Sequence, residues 1–182
     1  MTSIFVSTPR LTLVGATPPL ARAAATDLAA FARLLDARVD TWPPPLMQDT
    51  LTFTAETLES QPQQSGWWAW YFIRQADRLL VGAGGLKGPP LPDGTVEIGY
   101  SMIATFQRQG YATEAAAGLI EWAFQTSAVT RVIAETYPEL IASIRVMEKN
   151  GLTFSGPGSE ERVIRFELTR PSYAERVRSF AR

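Results

Sequence analysis

The stretch Gln107-Arg108-Gln109-Gly110-Tyr111-Ala112-Thr113 stands between a strand-like run, Thr95 to Ile103, and a helix-like run, Ala112 to Phe124. A tight, glycine-containing turn that feeds a helix leaves the first backbone N–H groups of that helix without intrahelical partners. The helix dipole adds partial positive charge at the same end. Such a turn suits phosphate oxygens. It also matches an ordinary strand-to-helix connection, and short motifs often match by accident. Two other phosphate loops are excluded. No Gly-x-x-x-x-Gly-Lys-Ser/Thr run occurs, and Gly82-x-Gly84 lacks its third glycine because position 87 is Lys.

Working outward, Ala112, Ala115, Ala116, Leu119, Ile120, Ala123 and Phe124 recur at helical spacing, with Glu114, Gly118, Glu121 and Gln125 on the other face. The alanines at the start let this helix lie close against a sheet. Downstream, Arg131 to Thr136 reads as a strand. Pro138 to Asn150 reads as a helix, with Gly151 as a left-handed C-cap and Lys149 favourable at its end. Leu152 to Ser155 is a short strand, and Arg162 to Thr169 alternates as a longer one. Upstream, Ile4 to Val14 reads as one strand broken by Pro9. Pro19 starts a short helix, Thr26-Asp27 caps a second through Leu35, and Thr50 to Ser60 is a third. Trp67 to Arg74 is aromatic without alternation, as in a strand buried on both faces. Leu79 to Leu86 is a strand weakened by Gly82, Gly84 and Gly85, and Asp93-Gly94 signals a hairpin into Thr95. The fold class is α/β (α+β): one mixed central sheet of about six to seven strands with helices on both faces. It is expected as a single domain over 1–170, followed by a tail, 171–182.

Composition narrows the chemistry. At 182 residues, 46% hydrophobic and 19% charged, the chain has the makings of a globular domain with a sizeable core. Its net charge of −1 argues against nucleic acid and anionic membrane as partners. No apolar run reaches the roughly 20 residues of a membrane span. Met1 to Val6 lacks the basic region and apolar core of a signal peptide. With no Cys there is no disulfide, thiolate metal site or acyl-cysteine, and with no His there is no imidazole base or ligand. The expected location is the cytoplasm and no metal is expected. Proton transfer falls to Glu, Asp, Tyr, Lys, Ser, water or the substrate.

The Gln-x-x-Gly-x-Ala spacing of Gln107 to Ala112, followed by Thr113-Glu114-Ala115, resembles the pyrophosphate-binding signature of the GNAT acyl-CoA N-acyltransferases. Glu97-Ile98-Gly99-Tyr100 precedes the turn as in many members. Pro138 to Leu152 is similar to the family segment Asn-x-x-Ser-x-x-x-(x)-Glu-Lys-x-Gly-Phe, here ending Glu148-Lys149-Asn150-Gly151-Leu152. Thr8-Pro9-Arg10-Leu11-Thr12-Leu13 resembles the first strand of the branch containing the Rim-type ribosomal-protein N-terminal acetyltransferases. The likeness is dense from Thr95 to Phe154 and rests mainly on element order before that. One departure stands out: Leu140 occupies the place of the Asn that usually opens the second segment.

The resemblance implies acetyl-CoA as cosubstrate. The backbone near Met102 and Ile103 would pair with the pantetheine arm, and one of their amides would polarise the thioester carbonyl. The amides of Gln109, Gly110, Tyr111, Ala112 and Thr113 would hold the pyrophosphate, with Gln107 opening the turn. Arg108 would approach a phosphate, or stay a solvated loop Arg. Ser143 and Val146 would flank the thiol, and Asn150 or water would replace the missing Asn contact.

For catalysis the residues leave alternatives. Alternation puts Glu97 on one strand face with Gly99, Ser101 and Ile103. It is the best base if that face opens on a cleft, or else it anchors a loop or pairs with an Arg. Ser143 either protonates the leaving thiolate or is a small residue packed on the cofactor. Tyr100 and Tyr137 are further donors, and Tyr111 is a packing residue or lies on the adenine side of the cofactor. The rings of Trp67 to Phe72 read as core, or some of them line an acceptor pocket or a dimer surface. Trp42, beside three prolines, is a candidate wall of the acceptor cleft. Arg170, Arg176, Arg178 and Arg182 read as a solvated terminus. The expected activity is direct transfer of an acetyl group to a primary amine: a protein or peptide N-terminus, or a small-molecule amine. The alternative is a non-catalytic acyl-CoA sensor. The chain would act as a monomer or a homodimer.

Overall fold

The computed structural model describes residues 4–45 and 47–180. The chain start from Met1 to Ser3 that entered the leader reading, and Arg182 of the terminal arginine set, lie outside the described residues. Pro9 does more than break a strand. It sits in a tight reversal, closed by the Thr8 amide on the Leu11 carbonyl at 2.9 Å, that separates β1 (Phe5–Ser7) from β2 (Leu11–Gly15). These two pair antiparallel, with Phe5 opposite Val14. The expected single strand is therefore a hairpin, and among the described residues the sheet has 8 strands rather than six or seven.

Three helices follow. α1 (Pro18–Thr26) begins on its prolines, and α2 (Leu28–Leu35) is capped by the Asp27 carboxylate, which accepts from the Ala30 amide. α3 (Gln48–Ser60) comes after the proline loop. Next come β3 (Ala69–Arg74), β4 (Leu79–Leu86) and β5 (Thr95–Met102). α4 (Tyr111–Gln125) leads into β6 (Arg131–Thr136). α5 (Ile141–Lys149), β7 (Thr153–Pro157), β8 (Ile164–Thr169) and α6 (Arg170–Phe180) complete the chain. The sheet order is β1-β2-β3-β4-β5-β6-β8-β7. Every neighbouring pair is antiparallel except β5 with β6.

Two cores sandwich the sheet. On one side Leu11, Leu13, Trp70, Phe72, Leu119, Ile120 and Phe124 are buried beneath α4. On the other, Phe31, Leu58, Tyr71 and Leu80 are buried beneath α1, α2 and α3. Burying each of these large side chains contributes about 1.5–3 kcal/mol. The glycines of β4 have a packing reason rather than a weakening effect. A methyl group at Gly84 would stand 2.5 Å from the Gly99 carbonyl oxygen, and one at Gly82 would stand 2.7 Å from that of Ser101. β5 thus lies closer to β4 than any side chain would permit.

Two details of the helices differ from expectation. Gly118 faces the sheet, where a methyl group would meet Leu13 at 3.0 Å. The surface positions of α4 are thus fewer than the periodicity implies. Arg170 is not a solvated cation. It donates to the carbonyls of Phe124 (2.9 Å), Thr126 (2.6 Å) and Val129 (2.8 and 2.6 Å), and its guanidinium lies over the Phe124 ring. Tyr173 stacks on the same ring.

Candidate active site

Parallel pairing of β5 with β6 stops almost as soon as it starts. Thr95, Val96 and Glu97 register with Arg131, Val132 and Ile133. Beyond Glu97, β5 keeps only β4, while β6 continues with β8 alone through Thr136. The two strands splay, and the gap is a cleft of about 1040 Å³. It is lined by Ile98 to Met102 on one wall and Glu135 to Tyr137 on the other. It is further lined by the turn from Phe106 to Thr113, Gln109 apart, and by Leu140 and α5.

Ladder parity decides which backbone groups face this gap. The Ile103 amide donates to the Val81 carbonyl, and the Glu97 carbonyl accepts from Lys87. Odd-numbered residues of β5 therefore spend their backbone groups on β4, and Ile98, Tyr100 and Met102 turn theirs to the gap. Of the two amides the sequence brings forward, Met102 faces the cleft and Ile103 is already bonded. Side chains follow the same alternation. Tyr100 packs toward α4 and α5, while Glu97, Gly99 and Ser101 share the face carrying α1 to α3.

The turn leading into α4 has the shape anticipated. Gly110 is the N-cap residue at φ +83° and, among the described residues, no side chain caps the helix. The amides of Tyr111, Ala112 and Thr113 project from its end without helix partners. Gln107, Arg108, Gly110, Tyr111, Ala112 and Thr113 all border the cleft. The Gln107 side chain donates to the Met102 carbonyl at 3.3 Å. Gln109 does not border the cleft; its amide group donates to the Thr105 carbonyl. Arg145 and Lys149 of α5 add two more cations to the lining.

Ser143 and Val146 line the α5 wall. Tyr100 crosses to them, its hydroxyl donating to the Ser143 carbonyl at 3.2 Å. Burial pushes the Tyr100 phenol up to about 12, with the Ser143 side chain acting in the opposite direction. Asn150 is buried away from the cleft, its side-chain amide donating to the carbonyls of Thr113 and Val146. It ties α5 to the first turn of α4 and does not stand in for the missing Asn. Leu140 lines the cleft with its side chain exposed, next to Tyr137 and Ile141. α5 begins at Ile141 rather than Pro138, because Leu140 and Ile141 bond back to Tyr137 and Glu139 in a turn.

Glu97 does not border the cleft, although its face-mates Gly99 and Ser101 do; it pairs with Lys87, a partner supplied by β4–β5 pairing rather than by an Arg. Trp42 is not brought to the cleft. Its indole donates to the Ala24 carbonyl and its ring packs on Phe31 and Tyr71. Trp70, Tyr71 and Phe72 are core.

Two carboxylates passed over in the sequence prove structural. Glu135 accepts from the amide and hydroxyl of Ser159 and from Arg165. Burial would raise it, but those hydrogen bonds prevail and hold the carboxyl below its usual range. Glu114 behaves in the same way: burial opposes, while bonds from Thr8 and Arg10 win and lower it. The pattern of their own elements exposes neither role, because the partners are distant in sequence, in the β1–β2 reversal, the Ser159 loop and β8.

A family model described as the acetyltransferase (GNAT) domain matches residues 19–153. The chain belongs to the GNAT acetyltransferase family. A Bacillus subtilis (strain 168) protein named as an uncharacterized N-acetyltransferase, YjdG, is 28% identical over 119 residues, 65% of this chain and 71% of that protein. Among solved structures, RimL, titled a ribosomal L7/L12 alpha-N-protein acetyltransferase in complex with coenzyme A, superposes with a TM-score of 0.66 at 16% identity. It covers 93% of this chain and 99% of that one. The ribosomal-protein-S5-alanine acetyltransferase of Vibrio fischeri gives 0.65 at 14%, covering 93% and 98%. The fold of this GNAT chain is thus the one seen in Rim-type enzymes, as its opening strands suggest. The fold is one that binds acetyl-CoA. The cleft fits such a ligand in kind: a free strand edge, an uncapped helix N-terminus and flanking cations meet in one groove. Among the described residues no cluster of acidic side chains is placed to hold a metal ion, and no helix is long and apolar enough to cross a membrane.

Proposed function

We propose that this chain transfers an acetyl group from acetyl-CoA to a primary amine by direct attack. The observation that carries this reading is the release of the β5 edge at Ile98, which leads straight to the uncapped end of α4. Acetyl-CoA supplies a thioester-activated acyl group and a thiolate leaving group. The amides from Gly110 to Thr113 hold its pyrophosphate, with Arg108 near a phosphate. The gap-facing backbone of Tyr100 and Met102 aligns the pantetheine arm, and the Met102 amide polarises the carbonyl. Ser143 and Val146 flank the sulfur.

The proton that the amine sheds on attack reaches Glu97 through water, because Gly99 and Ser101 border the cleft and Glu97, on the same strand face, does not. Tyr100 is a poor acid for the departing thiolate. A phenol near 12 giving its proton to a thiol of about 8.5 runs uphill by roughly 5 kcal/mol. The amine's own proton, passed through Glu97 or water, is the better source, and Tyr100 acts as a fixed donor that spaces β5 from α5. Among acceptors, a protein or peptide α-amine needs least help, since its ordinary pKa of about 7.7–8.0 lies well below the 10.4 of a lysine. The solved relatives named for ribosomal-protein acetylation support that order. A small-molecule amine ranks second.

The test is thiol release from acetyl-CoA with a panel of peptides and small amines. Turnover on at least one amine is expected, and Glu97→Gln should lower kcat/KM by about 10²-fold or more without weakening CoA binding. Activity surviving that substitution would remove Glu97 from the base role.

A further inference from the structure

The turn that opens α4 is gripped from outside the cleft by the reversal between β1 and β2. Arg10 of that reversal donates Nη1 to the Gln109 carbonyl at 3.0 Å and Nε to Glu114 Oε2 at 2.7 Å. Its guanidinium lies 4.5 Å from the centre of the Tyr111 ring. Glu114 is itself fixed by the Thr8 hydroxyl at 2.7 Å and the Arg10 amide at 2.6 Å. Arg10 does not line the cleft.

The grip matters because the turn is strained. Arg108 sits at φ +60°, a left-handed conformation that costs a residue with a side chain about 1 kcal/mol or more and persists only where its surroundings enforce it. The bonds from Gln107 to Met102 and from Gln109 to Thr105 stay within the same loop. Arg10 ties that loop's backbone to a different part of the sheet.

We infer that Arg10 is a positioning residue for the acyl-CoA phosphates, aiming the amides of Gly110 to Thr113 without touching the ligand. This rests on the reading of that turn as the pyrophosphate site. Positioning and direct charge make opposite claims about Glu114. If Arg10 acted as a charge on the phosphates, deleting the nearby Glu114 anion would tighten binding. If Arg10 acts by geometry, deleting its anchor loosens binding.

The experiment is calorimetric titration of CoA into wild-type protein and into Arg10→Gln, Arg10→Lys and Glu114→Gln, with thermal unfolding to check folding and saturation kinetics to separate KM from kcat. Arg10→Gln and Glu114→Gln are expected to raise the Kd for CoA about tenfold, the equivalent of one charge-assisted hydrogen bond. At saturating acetyl-CoA, kcat should hold within about twofold. Arg10→Lys keeps the charge but not the planar fork, so it should restore little. It is also the milder change and carries the test if Arg10→Gln fails to fold. Unchanged affinity in a folded Arg10 variant, tighter binding by Glu114→Gln or full rescue by Lys would overturn the inference alone. Wild-type protein that binds no CoA would overturn the pyrophosphate reading and this inference with it.

Discussion

Tyr100 shows how one residue's placement limits the chemistry around it. Strand alternation turns its ring into the core that carries α5, and the hydroxyl finds the Ser143 carbonyl there. A phenol held near 12 keeps its proton throughout the neutral range. Tyr100→Phe is therefore expected to cost about 1 kcal/mol of stability, read by urea denaturation, and to lower kcat by less than about tenfold. A loss of several hundredfold would make Tyr100 the acid after all. Residue-level reading of the sequence put Glu97 on one strand face with Gly99 and Ser101, because alternation needs only the strand's existence, but it could not show that Glu97 itself stays out of the cleft lining. It did not reach Lys87, whose approach depends on β4–β5 register, nor the division of labour between Met102 and Ile103, which depends on which strand edge is taken.

At the scale of elements, the clearest signals were periodicities uninterrupted over several turns or strands. α4, β4, β5 and β6 fall close to their expected bounds. Misreadings cluster where a proline or a tertiary contact decides. Pro9 marks a break, but only the bond from Thr8 to Leu11 distinguishes a reversal from a kink. Pro138 offered a helix start, yet the chain spends three more residues in a turn before α5 begins. The terminal arginines read as solvated because nothing local to Arg170 reveals the three carbonyls it meets after α4 ends. Those carbonyls close the end of α4 and its following turn, where Thr126 also accepts from the Val129 amide, and a single guanidinium bonds all three. Removing it should destabilise the fold rather than the chemistry. Arg170→Ala is expected to lower the free energy of unfolding by about 2–3 kcal/mol, with KM for acetyl-CoA unchanged in the protein that remains folded. A change below about 0.5 kcal/mol would class Arg170 with ordinary surface residues.

At the scale of the whole molecule, two carboxylates brace the scaffold around the cleft. Glu114 joins α4 to the first hairpin, and Glu135 joins β6 to the Ser159 loop and Arg165 on β8. Both are held below their ordinary value of 4.5 in the folded protein, so the unfolded chain binds their protons more readily. Their contribution is complete above about pH 4.5 and is lost as pH falls toward the folded values. Urea midpoints should drop between about pH 5 and pH 3, and Glu135→Gln should flatten that slope. A slope unaffected by this substitution would place the acid sensitivity elsewhere.

All of these features converge on a groove for acetyl-CoA, and the most direct measurement is a calorimetric titration of the wild-type chain with that ligand. One site with a Kd of roughly 1–100 µM is the predicted result, weakened when the helix end is blocked by Gly110→Pro or the gap is filled by Ser143→Trp. Absence of binding by the folded protein would contradict the account, because the splayed strands and uncapped helix would then be fold without function.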